Sequence, residues 1–366
     1  MSNTILHKQI LAYRFCLLIE LLLIFLQFFD LRRHTMNHTS TLGRVTRRAS
    51  AWAVAAMLVG LTTQAVADNT KPIKLLVGFP PGGGTDAIAR ILAESMKETL
   101  GQPVVVDNKP GAGGQIAAQA LKAAAPDGTS YFLSHDHTIT ILPLVVKNPG
   151  FNPTTDFVPV AGFATFVNAF AVSGGTPAKS VDEYVAWVKT AGQGKSAVGI
   201  PAPASTPEFL VKLVGQKYNL DLLAAPYRGS APMMGDMLGN QIAAGVASVP
   251  DFIENHKAGK LRVVAVLGGQ RQAALPDVPT FSELGLKGLE DMPYYGLFAP
   301  TGTPKAELDR VSDALAKAVA KPDVKDRLTA MGLTVGHMTG AQLGDREKAY
   351  RTVWTGIIEK SGFKPQ

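Results

Sequence analysis

Ile73-Lys-Leu-Leu-Val-Gly-Phe-Pro-Pro-Gly-Gly-Gly-Thr-Asp-Ala-Ile-Ala-Arg90 holds a strand, a turn and a helix start in immediate succession. The apolar run from Ile73 to Phe79 reads as a short buried strand, and Pro80-Pro81-Gly82-Gly83-Gly84 breaks it. Thr85 or Asp86 is placed to cap a helix whose apolar residues Ile88, Ile91, Leu92, Met96 and Leu100 recur at helical spacing, with Gly101 to close it. Free N–H groups and the helix dipole at such a start favour negative charge, and glycines allow close approach to the backbone. The stretch therefore predicts an anion site at the carboxyl end of a strand.

Working outward, the pattern repeats. Pro103–Asp107 reads as a second strand, Asn108–Gly114 as a second glycine-rich turn, Gln115–Ala125 as an alanine-rich helix and Thr129–Ser134 as a third strand. Alternating strand and helix predicts a parallel sheet covered on both faces, with ligands at the carboxyl ends of its strands. Both glycine turns and Ser134-His135-Asp136-His137 fall there. Ala161–Val172 reads as one strand. A second α/β unit follows, with a helix capped by Ser180, strands at 196–200, 221–226, 242–248 and 261–267, and turns at 201–207 and 227–232. A strand is expected at 294–299, and the tail reads as three helices, Lys305 to Lys321, Asp323 to Met331 and Thr339 to Lys360. The arrangement expected is one lobe over 68–170 and 290–366 and a second over 171–289, facing each other across a cleft.

The N-terminal part reads as a leader. Arg44, Arg47 and Arg48 precede the apolar Ala51–Leu61, and Ala65-Val66-Ala67 makes a small-x-small cleavage site. Residues 36–67 form the expected signal peptide, removed after Ala67, and Met36 is favoured as the true start, with 1–35 a mis-called extension. Phe15–Phe29, about 15 residues long, is short of the roughly 20 that a spanning helix needs. Thr46-Arg47-Arg48 leaves export by a twin-arginine route open beside the general one. Residues 1–67 hold seven Lys/Arg and two Asp/Glu, so the formal charge falls from +7 to +2 on cleavage. The high pI belongs to the leader and gives no argument for nucleic acid. Cys16, the only cysteine, also lies there, so thiol chemistry is excluded from the remainder.

Four constellations bear on function. Gly82-Gly83-Gly84-Thr85-Asp86-Ala87 fits G-x-G-x-x-A with Asp107 closing the next strand, the pattern of an NAD-dependent oxidoreductase. Two prolines in the turn and an export signal stand against it. His135 and His137 alternate on an extended segment and could share a metal ion, but two histidines are short of the usual ligand set, and no metal is assigned. No nucleophile elbow is present, and Ser134 beside His135 is adjacency rather than a triad. The reading favoured is anion capture by backbone amides and hydroxyls, with Thr85, Ser134, Ser205, Thr206, Tyr227 and Ser230 on offer from turns that converge.

Several segments carry a family resemblance. Phe79–Arg90, Asn108–Gly114 and Ala125-Pro-Asp-Gly-Thr129 resemble the opening of the Bug (TctC-like) solute-binding receptors of tripartite tricarboxylate transporters. Asp156–Pro159, Pro226–Pro232, Ala258–Arg262, Leu275–Phe281 and Gly296–Pro300 extend the likeness in order. The resemblance implies an α/β type II periplasmic-binding-protein fold, two lobes closing on a small organic carboxylate, with no cofactor and no catalysis. It implies a periplasmic monomer whose partners are the membrane components of a transporter, or a receptor that signals. The ligand-binding residues it implies are Pro81, Gly82, Gly83, Gly84, Thr85 and Asp86, with Ser134, His135 and Asp136 after the third strand. From the second lobe come Ala204, Ser205, Thr206, Tyr227 and Ser248. Two departures from the family pattern leave the carboxylate unidentified. Glu208 stands where a histidine is usual, and Ala247-Ser248 where a strand often ends in an acid.

Overall fold

The computed structural model describes residues 71–365; the expected leader lies outside them. The first lobe is built on a six-stranded sheet in the order β11-β4-β10-β3-β1-β2. Its strands are β1 (Ile73–Val77), β2 (Val104–Asn108), β3 (Ser130–His135), β4 (Phe157–Thr165), β10 (Tyr294–Pro300) and β11 (Thr334–Thr339). Helices α1 (Gly84–Leu100) and α2 (Gln115–Lys122) cover it on opposite faces. Alternation along the strands explains how. Ile73, Leu75, Val77, Tyr131 and Leu133 join the core beneath α1, while Leu76 and Phe132 join Ala117, Ala118 and Leu121 of α2.

The second lobe is a five-stranded sheet in the order β7-β6-β8-β5-β9. It comprises β5 (Asn168–Ser173), β6 (Lys195–Ile200), β7 (Asp221–Pro226), β8 (Ala244–Ser248) and β9 (Leu261–Val266). Helix α3 (Val181–Thr190) starts at Ser180, whose hydroxyl accepts the Glu183 N–H at 3.1 Å. Helices α4 (Thr206–Tyr218), α5 (Ser230–Leu238) and α6 (Val249–Lys257) each begin close behind the carboxyl end of a strand. The C-terminal part returns to the first lobe as α7 (Lys305–Ala320), α8 (Pro322–Ala330) and the long α9 (Gly340–Ser361).

Two sequence expectations need correction, and one strand was not foreseen. Neither sheet is purely parallel: β10 runs antiparallel to β3 and β4, and β5 antiparallel to β8 and β9. These reversed strands are the ones by which the chain crosses between lobes. The run 161–172 is not one strand, because β4 ends at Thr165, β5 starts at Asn168, and only Phe166 and Val167 join the two sheets. The three tail helices stand where they are expected, but the segment between the second and third is a strand. Thr334–Thr339 adds a mostly exposed edge strand to β4 before α9 begins with a capping box between Thr339 and Gln342.

Candidate functional site

Four strand ends, β1, β3, β6 and β8, feed loops that face each other between the lobes. The cavity they enclose is small, about 50 Å³, and is lined from both lobes. The first lobe contributes Phe79, Thr85, His135, Asp136, His137, Phe166 and Tyr295. The second contributes Asn168, Pro201, Ala202, Ser205, Thr206, Pro207, Ser230, Ser248 and Asp251. No lysine or arginine is among these lining residues.

The walls are aromatic on one side. The His135 ring stacks on Phe79 with centroids 5.0 Å apart and meets Phe166 and Tyr295 edge-on at 5.9 and 5.5 Å. His135 Nδ1 lies 3.3 Å from the Asp136 carboxylate, whose other oxygen accepts the Tyr350 hydroxyl at 2.9 Å. His137 is buried, with Nδ1 unpartnered, and burial pushes its imidazole down to about 4. It is therefore neutral at physiological pH, because a cation there has no water to stabilise it. Burial likewise raises the Tyr295 hydroxyl, which contacts Thr85 Oγ1 at 3.3 Å and remains a neutral donor. Among the described residues no cluster of three or more His, Cys, Asp or Glu could hold a metal ion.

The sequence-predicted residues divide into two groups. Thr85, His135, Asp136, Ser205, Thr206 and Ser248 line the cavity. Pro81, Gly82, Gly83, Gly84, Asp86, Ser134, Ala204 and Tyr227 are not among the residues that line it. The amides of the glycine turn are already engaged. Gly82 N–H donates to Asp86 at 3.0 Å, Gly83 N–H to the Pro80 carbonyl at 3.5 Å, and Gly84 N–H to Asp251 at 2.8 Å. A pyrophosphate at this turn would have to displace all three.

Asp86 is a fastener of that turn. Burial works to raise its carboxyl, and bonds from Arg90, the Gly82 amide and Asn108 outweigh it, leaving the group below the usual range. Neither Thr85 nor Asp86 caps α1; its N-cap is Gly83, with no side-chain cap, and the oxygen at the helix start comes from the other lobe. Ala204 N–H donates to Glu208 at 2.7 Å, and Glu208 also pairs with Lys212, so the residue that stands in a usual histidine's place is engaged within its own lobe and is not among the cavity's lining residues. Tyr227 lines a neighbouring cavity of about 190 Å³ and gives its hydroxyl to Asp236 at 2.6 Å.

Sequence reasoning missed Phe79, Phe166, Asn168 and Tyr295 as walls, because nothing local marks an apolar residue as facing a cleft rather than a core. It also missed Asp251, although Ser248-Val-Pro-Asp251 carries the Ser-x-x-Asp pattern of a helix start. Asp251 brings an acid to the cavity from the first turn of α6, three residues beyond the end of β8.

Helix starts around the cavity differ in how their donors are used. At α4 the Ser205 hydroxyl donates to the Ala202 carbonyl at 2.6 Å and caps nothing. Thr206 Oγ1 is buried without any partner, and Thr206 as a whole is 5% exposed.

A model of the tripartite tricarboxylate transporter family receptor matches residues 88–363. Among curated relatives, a UPF0065 protein of Cupriavidus necator is 33% identical over 323 residues, 87% of this chain and 97% of that protein. Protein BugT of Bordetella pertussis is 30% identical over 308 residues, 83% and 94% of the two chains. Among solved structures, the periplasmic binding protein BugD superposes with a TM-score of 0.76 at 32% identity, covering 81% of this chain and 99% of that one. A protein from R. palustris solved with adipate gives 0.75 at 27% identity, covering 81% and 98%. MatC from Rhodopseudomonas palustris with bound malate gives 0.73 at 26%, covering 78% and 98%. The two-lobed fold is therefore that of periplasmic binding proteins.

Proposed function

The chain belongs to the tripartite tricarboxylate transporter receptors, and from that membership we propose that it is a periplasmic, non-enzymatic receptor for a small carboxylate. The ligand lies in the cavity between the lobes and is handed to the membrane components of a transporter. The observation that carries this reading is Thr206. A hydroxyl without a protein partner, buried at the first turn of a 13-residue helix whose Thr206 lines the cavity, is costly unless a ligand or water completes it. The N–H groups of the same turn and the helix dipole favour a negative oxygen there. A carboxylate seated against Thr206 needs no lysine or arginine, since oriented N–H and hydroxyl donors supply the field. Neighbours solved with adipate and malate support this ligand class.

The test is calorimetric titration and thermal shift of the purified protein against aliphatic, aromatic and amino-substituted carboxylates and NAD(H). A ligand at one hundred times its dissociation constant adds about 2.7 kcal/mol to the native state, a shift of several degrees. Thr206→Val keeps the shape and removes the donor. Its affinity for the best acid should fall roughly 10-fold or more, the worth of a hydrogen bond to a charged group, with no loss of melting temperature without ligand. Undiminished binding by Thr206→Val would remove the carboxylate from α4. A panel in which only NAD(H) shifts the melt would overturn the receptor reading altogether.

A further inference from the structure

Three donors converge on one carboxylate at the rim of the cavity. Asp251 Oδ1 accepts the Gly84 N–H at 2.8 Å and the Ser230 hydroxyl at 2.5 Å, and Asp251 Oδ2 accepts the Ser248 hydroxyl at 2.5 Å. Ser230, Ser248 and Asp251 belong to the second lobe and Gly84 to the first, where it opens α1. A helix start presents unsatisfied N–H groups and a positive dipole end, and a carboxylate is what such a start attracts. Asp251 fills that place from across the cleft. A capping box would have turned its side chain back to its own helix, as Gln342 turns back to Thr339 in α9. Instead the Ser248 hydroxyl steadies the carboxylate while it points away from its own backbone.

We infer that Asp251 is an internal anion: it occupies the anion site of the first lobe's glycine turn, latches the lobes without a ligand, and keeps a ligand's carboxylate out of that turn. The surroundings are built for close contact. A Cβ at Gly84 would lie 3.0 Å from Asp251 Oδ1 and from Pro250 Cβ, and one at Gly83 2.9 Å from Ser230 Oγ. A side chain at either position would make the second lobe give way by a few tenths of an ångström. The consequence for recognition rests on the receptor reading above: with the Gly84 N–H taken from within, a ligand carboxylate loses that donor at the α1 start and turns to the donors of α4.

The test measures closure with no ligand present, so its outcome stands apart from the identity of the cargo. Val105, 47% exposed on β2, and Leu223, 67% exposed on β7, are surface sites on the outer strands of the two sheets. They are changed to cysteine and spin-labelled in a full chain carrying Cys16→Ser. Electron–electron resonance then reports the inter-lobe distance. The Asp251→Ala chain should shift toward longer distances, the closed-to-open ratio falling roughly 10–100-fold for the loss of charge-assisted bonds. Asp251→Asn, which keeps an acceptor and loses the charge, should fall between. Acetate added to Asp251→Ala should restore the short distance where equal chloride does not, and should do so with Thr206→Val added, which excludes rescue through α4. The same distance distribution for Asp251→Ala and the parent, with both chains folded by circular dichroism, would overturn the latch. An opened Asp251→Ala chain that acetate leaves open would overturn the anion site.

Discussion

Gly229 holds φ at +103°, and a Cβ there would sit 2.5 Å from Cδ of Pro80 in the opposite lobe. Two penalties meet at one atom. An extended backbone at positive φ (ψ 173°) costs an ordinary L-residue on the order of 1–3 kcal/mol within its own lobe, whereas the proline contact is made only when the lobes approach. Gly194, with φ +79° and open space around it, isolates the first penalty. Both Gly229→Ala and Gly194→Ala should therefore lower the melting temperature of the ligand-free protein by a few degrees. Only Gly229→Ala should also weaken ligand affinity, by roughly 10-fold or more, because closure forces its methyl into the proline ring. Equal affinities for the two variants in calorimetry would mean that the 229 turn does not meet Pro80 in the ligand-bound state. The same contact geometry explains why a side chain at Gly83 would act on closure, through Ser230, rather than on an anion lying in the turn.

Helix α9 shows how titration is built into an element. Glu347 lies on its inward side beside Tyr294, with one carboxylate oxygen buried and unpartnered, and burial raises its carboxyl to about 7 against the pull of Arg351 and Lys348. The folded pKa is raised above the unfolded value, so the stability it contributes is fully present below about 4.5 and is lost as pH rises through about 7. His137 acts in the opposite sense. Its folded pKa, about 4, is depressed, so its contribution is present above 6.5 and lost as pH falls toward 4. Comparing the parent with Glu347→Gln removes the histidine from the difference. Between pH 5 and pH 8 the parent should lose on the order of 2 kcal/mol relative to the glutamine variant in urea melts. A pH-independent difference would show that Glu347 ionises in place without cost. Elements of this kind also mark how far sequence reaches. The β1–α1 unit, the Ser180 cap and the Gly101 closure, φ +67°, were legible because the signals are local. The split at Phe166-Val167 was not, since both halves are equally apolar and only tertiary packing assigns them to different sheets. β11 was hidden for the converse reason: its residues are mostly exposed, and pairing with β4 makes it a strand. At the site, the turns and hydroxyls could be read from composition, but which donors a ligand finds free depended on Asp251 reaching Gly84 from a residue 167 positions away.

Residues 71–365 form two sheets joined by a two-residue crossing at 166–167, a longer return over 267–293, and a helix that leans on both lobes. Tyr350 of α9 donates to Asp136 in the first lobe, and Trp354, one turn later, packs edge-on against Phe209 of α4 at 5.4 Å. Phe209 lies one turn beyond Thr206, so the helix start proposed to receive the carboxylate and the ring that touches Trp354 move as one rigid piece. Trp354 is 2% exposed. The cavity lies between the two lobes, so a ligand that changes the angle between them shifts Phe209 against Trp354. Ligand addition should therefore change tryptophan fluorescence, and Trp354→Phe should abolish most of that change while preserving affinity within a few-fold. Trp187, on α3 against Tyr184 inside the second lobe, should be a silent site, so Trp187→Phe should leave the amplitude intact. If the signal follows Trp187 instead, the rearrangement on binding lies within the second lobe, and α9 is a fixed strut rather than part of the moving interface.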